Sequence, residues 1–193
     1  MIISPLQILE LNEKYGLVTG LGERDATNPE GVGFDLRVGK VEKIVGKSFL
    51  GVNKRFSPKT EVIGDVEKDG NKLITLRQWD YRLVTTMEEV YSPEEKVFVG
   101  RVLPQMYLMP DIHPRTSLQR GGVVLVKTKT DPGYRGKLTF GLTNLSEYDF
   151  EFELGARLFN LVFHGVVGEL KRPYSGQHQG GRTTSQGETE VQT

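Results

Sequence analysis

Two short stretches crowd polar residues where the chain would otherwise simply turn. The first is His113-Pro-Arg-Thr-Ser-Leu-Gln-Arg120, followed by Gly121-Gly122. Arg115 and Arg120 offer forked donors that match phosphate oxygens, and Thr116 and Ser117 add hydroxyls. The adjacent glycines let backbone approach a ligand closely. Taken alone, such an Arg-Thr-Ser cluster is more often a solvated turn. The second stretch is Asp131-Pro-Gly-Tyr-Arg-Gly136. Its composition suits a plain hairpin connection. As chemistry, it offers Asp131 as a general base acting on water and Tyr134 as a surface for a sugar ring.

Residues 123–130 join the two stretches, which is room for one strand and little more. A single strand puts the turns at opposite ends of one subunit. A shared site therefore arises more easily across a subunit boundary, which points to a symmetric oligomer. The tail from Lys171 places Gly176, Gly180, Gly181 and Gly187 among Ser, Thr and Gln, with almost nothing apolar after Tyr174. That composition suits a disordered terminus. The functional reading is a mobile flap that orders over a ligand and supplies Tyr174, Gln177, Gln179 and Arg182.

The elements that must position these groups are mostly strands. Residues 72–76, 96–103, 105–109, 123–127 and 137–144 read as strands, as do the alternation of Phe150, Phe152 and Leu154 and the apolar run 156–167. Many short strands with regular turn signals predict an all-β sandwich or barrel. One helix opens the chain. Ser4 caps it, Pro5 takes the first helical position, Gln7 completes a capping box and Gly16 stops it, with Leu6, Ile8, Leu9 and Leu11 as the apolar face.

A length of 193 residues favours one domain. Lys plus Arg equals Asp plus Glu at 25 each, so no overall charge advertises a nucleic-acid or membrane partner. With no cysteine, disulfides, thiolate metal sites and cysteine nucleophiles are excluded. No segment approaches transmembrane length, and the expected location is cytoplasmic. His113, His164 and His178 show no metal-ligand spacing, and His164 reads as a core or interface residue. Trp79 and Tyr81 read as ordinary strand packing. Glu88, Glu89, Glu94 and Glu95 read as a solvated loop, and Lys127 and Lys129 as the outward face of a strand.

The order Pro-Arg-Thr-Ser-Leu (114–118), then Asp-Pro-Gly-Tyr-x-Gly-x-Leu-Thr (131–139), resembles the dUTPase and dCTP deaminase superfamily. Gly33-Phe34-Asp35-Leu36-Arg37-Val38-Gly39 is similar to its early motif, with Phe34 where Tyr is usual. Pro173-Tyr-Ser-Gly-Gln-His-Gln-Gly180 is similar to the tail motif of the deaminase-like members. The resemblance covers 28–39 and 110–181, with weaker support over 1–16 and no motif in 40–100.

It implies a distorted jelly-roll over residues 1–170, a flexible tail over 171–193 that closes over the site, and a homotrimer with sites between subunits. It also implies a magnesium ion on the triphosphate, with Asp35 reaching that ion through water. Thr116 and Ser117 would contact phosphate with Arg115, and Arg120 would approach from a neighbouring subunit. Lys129, Gly133, Tyr134 and Gly136 would surround base and sugar, with Tyr174, Gln177 and Gln179 closing from the tail and His178 stacking on the base. Asp131 would orient the attacking water.

The superfamily holds two chemistries. Deaminating members carry a glutamate ten residues after the motif aspartate; here that position is Gly141. Losing a positioned general base costs roughly a hundred- to ten-thousand-fold in rate. The resemblance therefore implies a dUTP diphosphatase that yields dUMP and pyrophosphate. The alternatives are a dCTP deaminase, alone or bifunctional, that uses a displaced acid, and a nucleotide-binding trimer that has lost catalysis.

Overall fold

The computed structural model describes residues 1–100 and 104–191. The opening helix, α1 (Pro5–Tyr15), forms for the reasons its sequence gives. Ser4 is extended, and its Oγ accepts from the Gln7 N–H at 3.4 Å. Gly16 adopts the left-handed region at φ +64°, and its N–H reaches Asn12 O at 2.8 Å. The Gln7 side chain does not reach back to the Ser4 backbone; its Oε1 meets the Ser4 hydroxyl instead. Ile8 is buried, but Leu6 faces solvent and does not belong to the packed face.

The sheet is built around two long strands that the sequence reading passed over, β1 (Phe34–Ile44) and, later in the chain, the strand Tyr81–Tyr91. In β1, Phe34, Leu36, Val38 and Val41 are buried, while Asp35, Arg37 and Lys40 between them are partly exposed. The remaining strands that matter for the site are β2 (Leu73–Leu76), β3 (Tyr81–Tyr91), β4 (Tyr107–Pro114), β5 (Val123–Val126), β6 (Arg135–Asn144), β7 (Phe150–Glu153) and β8 (Arg157–Val166). Pairing is antiparallel throughout. In the main sheet β1 lies between β8 and β3, followed by β6 and then β5 at the edge. β4 pairs along its whole length with β8, and β7 pairs with β2. The all-β expectation holds, with the strand boundaries shifted by one to a few residues.

Several readings need correction. Of the strand expected over 96–103, the described part forms only a bridge between Val97 and Met106, and residues 101–103 lie outside the described residues. Glu88 is not in a solvated loop. It is fully buried on β3, where Arg37 donates to it from Nε at 2.7 Å and from the backbone N–H at 2.9 Å. Trp79 does not pack in a strand: it sits in a turn at φ +65° with 69% of its surface exposed. Glu89 lies on β3 but is exposed, as are Glu94 and Glu95.

One apolar cluster runs through the molecule, from Ile8 of α1 through Leu36, Val84, Leu108 and Leu142 to Phe159 and Phe163. Its fully buried side chains each contribute roughly 1.5–3 kcal/mol, and they fix β3 and β6 as the rigid floor beneath the Asp131 turn. Among the described residues, no helix is long and apolar enough to cross a membrane.

Candidate active site

The turn at Asp131 joins β5 to β6 and is clamped from below. The Gly133 N–H donates to Ser92 O at 2.8 Å, Ser92 N–H returns to Tyr134 O at 2.9 Å, and Tyr134 N–H closes onto Asp131 O at 3.1 Å. Tyr134 is buried, and its hydroxyl donates to Lys137 O at 2.6 Å. Burial, helped by Tyr174 and Glu89, pushes its phenol up to about 12, so it stays a proton donor.

Beside this turn lies a cavity of about 390 Å³ that includes Tyr81, Lys127, Asp131, Tyr134, Gly141 and His178 in its wall. An adjoining hollow of about 580 Å³ shares Lys129, Asp131, Tyr174 and His178 with it and adds Arg55 and Arg172. Both volumes suit a small molecule. Among the described residues, Asp131 is the only carboxylate that lines either space.

The two lysines are not an outward strand face. Lys129 ion-pairs with Asp131 Oδ1, and Lys127 reaches Asp111 Oδ1 at 2.6 Å. Lys129 leaves Asp131 Oδ2 without a hydrogen bond among the described residues.

The tail packs on its own chain's turn. Tyr174 N–H donates to Pro132 O at 2.7 Å, and the Tyr174 ring meets Tyr134 edge-on at 5.8 Å. The Gln179 amide donates to Gly133 O at 2.8 Å and accepts from Arg135 N–H at 3.1 Å, as a neighbouring strand would. Gly133 sits at φ +98°, and a Cβ there would lie 2.8 Å from Tyr174 N. Gly136 sits at φ +142°, and a Cβ there would lie 2.6 Å from Gly180 C. Both glycines are thus required by close approach as well as by conformation. Tyr174, Gln177, His178 and Arg182 reach the two spaces, whereas Gln179 is spent on the backbone. Gln177 bonds His178 Nε2 at 3.0 Å, and its Oε1 is buried without a partner.

Arg115 precedes the short helix α2 (Thr116–Arg120), at the far end of β5 from Asp131. Neither Arg115, Thr116, Ser117 nor Arg120 lines either space. Arg115 Nη1 lies 3.5 Å from Asp35 Oδ2, which Arg24 and Arg157 also approach, at 3.4 and 3.6 Å. Asn160 donates to Asp35 Oδ1 at 3.2 Å. In this chain Asp35 is an anchor for three guanidiniums. Arg120 makes no ion pair among the described residues.

Position 141 has a definite neighbour. A Cβ at Gly141 would stand 2.5 Å from Tyr81 Cζ and closer still to the hydroxyl oxygen. Burial raises the Tyr81 phenol above its ordinary value. A neutral phenol, not an acid, fills that corner of the cavity.

A profile of the dCTP deaminase-like family matches residues 2–166. This chain belongs to the dCTP deaminase-like family. A dCTP deaminase from Pyrococcus furiosus is 32% identical over 148 residues, 77% of this chain and 76% of its own. A probable deoxyuridine 5'-triphosphate nucleotidohydrolase from Aeropyrum pernix is 31% identical over 170 residues, 86% of this chain and 91% of its own. In fold, the chain is similar to the 2'-deoxycytidine 5'-triphosphate deaminase of Agrobacterium tumefaciens, with a TM-score of 0.58 at 19% identity over 84% of this chain. It spans about half of that structure's length, 47%.

Within this dCTP deaminase-like chain, sequence reasoning found the Asp131 turn and the tail but missed Tyr81 and Arg55. Tyr81 faces Gly141 only because β3 pairs with β6, placing Leu83 opposite Gly141. No local pattern signals that. Arg55 comes from residues 40–100, where the resemblance offers no motif.

Proposed function

We propose that this chain is a dUTP diphosphatase that hydrolyses dUTP to dUMP and pyrophosphate. The observation that carries this reading is the wall of the cavity. Asp131 is its lone carboxylate among the described residues, and Tyr81 occupies the corner where deaminating members are expected to hold a glutamate. One acid suffices for hydrolysis of the α–β linkage. Asp131 takes a proton from water as the water oxygen bonds to the α phosphorus; the bond to the bridging oxygen breaks, and pyrophosphate leaves with the electron pair.

Charge on the leaving group needs cations already in place. Lys129, Arg55 and Arg172 line the adjoining hollow and supply them from this chain. Arg115 and Arg120 would add theirs from a neighbouring subunit, with Thr116 and Ser117 contacting phosphate. An oligomer is supported by the edge strand β5, which leaves Val124 and Val126 about half exposed between the two polar turns. A homotrimer would place Arg115 and Arg120 of one chain beside the Asp131 of the next. Tyr134 would press on the deoxyribose, and residues 171–193 would act as the flap over the bound nucleotide. Magnesium would arrive as part of the substrate, on the triphosphate, and the steps above need no further group to hold it.

A second reading, dCTP deamination, is favoured by the similarity to proteins named dCTP deaminase. It would require Asp131 to activate water for attack on the cytosine ring, with ammonia leaving and the triphosphate untouched. Hydrolysis in ¹⁸O-labelled water tests the proposed chemistry. Attack at the α phosphorus puts the label in dUMP, and label in pyrophosphate would defeat it.

A further inference from the structure

A second cluster of reactive side chains lies outside the nucleotide cavity, on the face shared by β4 and β8. Asp111 and His113 are two residues apart on β4 and point the same way. The antiparallel register sets Asp111 opposite Val162 and Met109 opposite His164. His164 is therefore the diagonal neighbour of Asp111 on that face, a distance long side chains can bridge. None of the three lines either space beside Asp131.

Their ligand atoms converge. His113 Nε2 lies 3.2 Å and His164 Nε2 3.9 Å from Asp111 Oδ2, and all three atoms fall within 4.8 Å of one another. Nitrogen and oxygen ligands at roughly 2.0–2.2 Å from a tetrahedral metal stand about 3.4 Å apart, so small side-chain movements would complete a coordination shell. Two further features fit a bound ion. His164 Nε2 is shielded from solvent and has no hydrogen-bond partner. Asp111 Oδ1 is held by Lys127 at 2.6 Å, which fixes the carboxylate and leaves Oδ2 directed at the imidazoles. The ammonium opposes a nearby cation, but it sits on the other oxygen.

We propose that Asp111, His113 and His164 form a binding site for a divalent transition-metal ion, best matched by Zn²⁺. Two imidazoles and one carboxylate favour such an ion over magnesium, which prefers a shell of oxygens. The three protein ligands leave a fourth position for water or another small ligand.

The full-length chain, freed of metal with a chelator, is titrated with Zn²⁺ by calorimetry and with Co²⁺ by visible absorption. One ion per chain is expected, with the Co²⁺ spectrum of a tetrahedral or five-coordinate nitrogen–oxygen site. His113→Gln and His164→Gln should each weaken binding by about ten-fold or more, while His178→Gln should leave it unchanged. His113 is half exposed, so its variant remains informative should the His164 variant fold poorly. Absence of saturable Zn²⁺ binding, or binding of equal strength in both ligand variants, would overturn the assignment.

Discussion

Gly141 and Tyr81 share one space: a Cβ on the first would stand 2.5 Å from Cζ of the second. The two residues lie on paired strands, so neither backbone can retreat without breaking the ladder between β3 and β6. Gly141→Ala should therefore destabilise the fold by about 1–3 kcal/mol through overpacking. Adding Tyr81→Ala should recover most of that loss, as coupling between touching residues requires. Urea denaturation of the two single variants and the double variant measures it. Additive effects would mean that the side chains do not meet.

Asp131 is the lone acid of the cavity among the described residues, so its removal tests the hydrolytic assignment. Asp131→Asn keeps size and hydrogen-bonding capacity but cannot take a proton. Pyrophosphate release from dUTP should fall by roughly a hundred- to ten-thousand-fold in kcat, with KM changed only slightly. A variant as active as the parent would place the base elsewhere.

Arg115 and Arg120 sit at the opposite end of β5 from Asp131 within one chain. If a complete site needs two chains, Arg120→Ala and Asp131→Asn will each be inactive alone, yet an equal mixture refolded together will regain activity. Random assembly makes about one site in four carry both native residues, so about a quarter of parental activity is expected. No recovery in a mixed oligomer would confine the site to one chain.

Glu88 gives the fold a pH signature. Burial raises its carboxyl above the usual 4.5 and outweighs the hydrogen bonds and charge of Arg37, which pull the other way. The folded chain thus keeps this proton to a higher pH than the unfolded chain does. The stability contributed by this group is fully present below 4.5 and is lost as the pH rises through the raised folded value. Glu88→Gln retains an acceptor for Arg37 and removes the titration. Urea midpoints measured across the acid range should fall less with rising pH in the variant than in the parent; identical slopes would contradict this.

What could be read from the sequence was local. Ser4, Pro5 and Gly16 announce a helix within a dozen residues, and Asp131-Pro-Gly-Tyr-x-Gly announces a turn whose glycines prove to be crowded by the tail. The all-β class followed from short apolar runs punctuated by turn residues. What could not be read depends on pairing across the sheet. β1 carries charges at Asp35, Arg37, Lys40, Glu42 and Lys43, and β3 carries the adjacent Glu88 and Glu89 near its end, so they look like solvated segments until Arg37 is seen to meet Glu88 across 51 residues. Asp111 and His164 are 53 residues apart, and the register of β4 against β8 alone brings them together. Tyr81 looks like packing in the sequence, and only the pairing of β3 with β6 makes it the residue that fills the space beside Gly141.

In the proposed reaction one carboxylate serves the phosphates and none serves the base. The most direct measurement is product analysis of the purified chain with dUTP and with dCTP, each with and without magnesium. The expected products are dUMP and pyrophosphate from dUTP, with no ammonia from dCTP under any condition. Ammonia released stoichiometrically from dCTP, in a preparation where Asp131→Asn releases none, would contradict it.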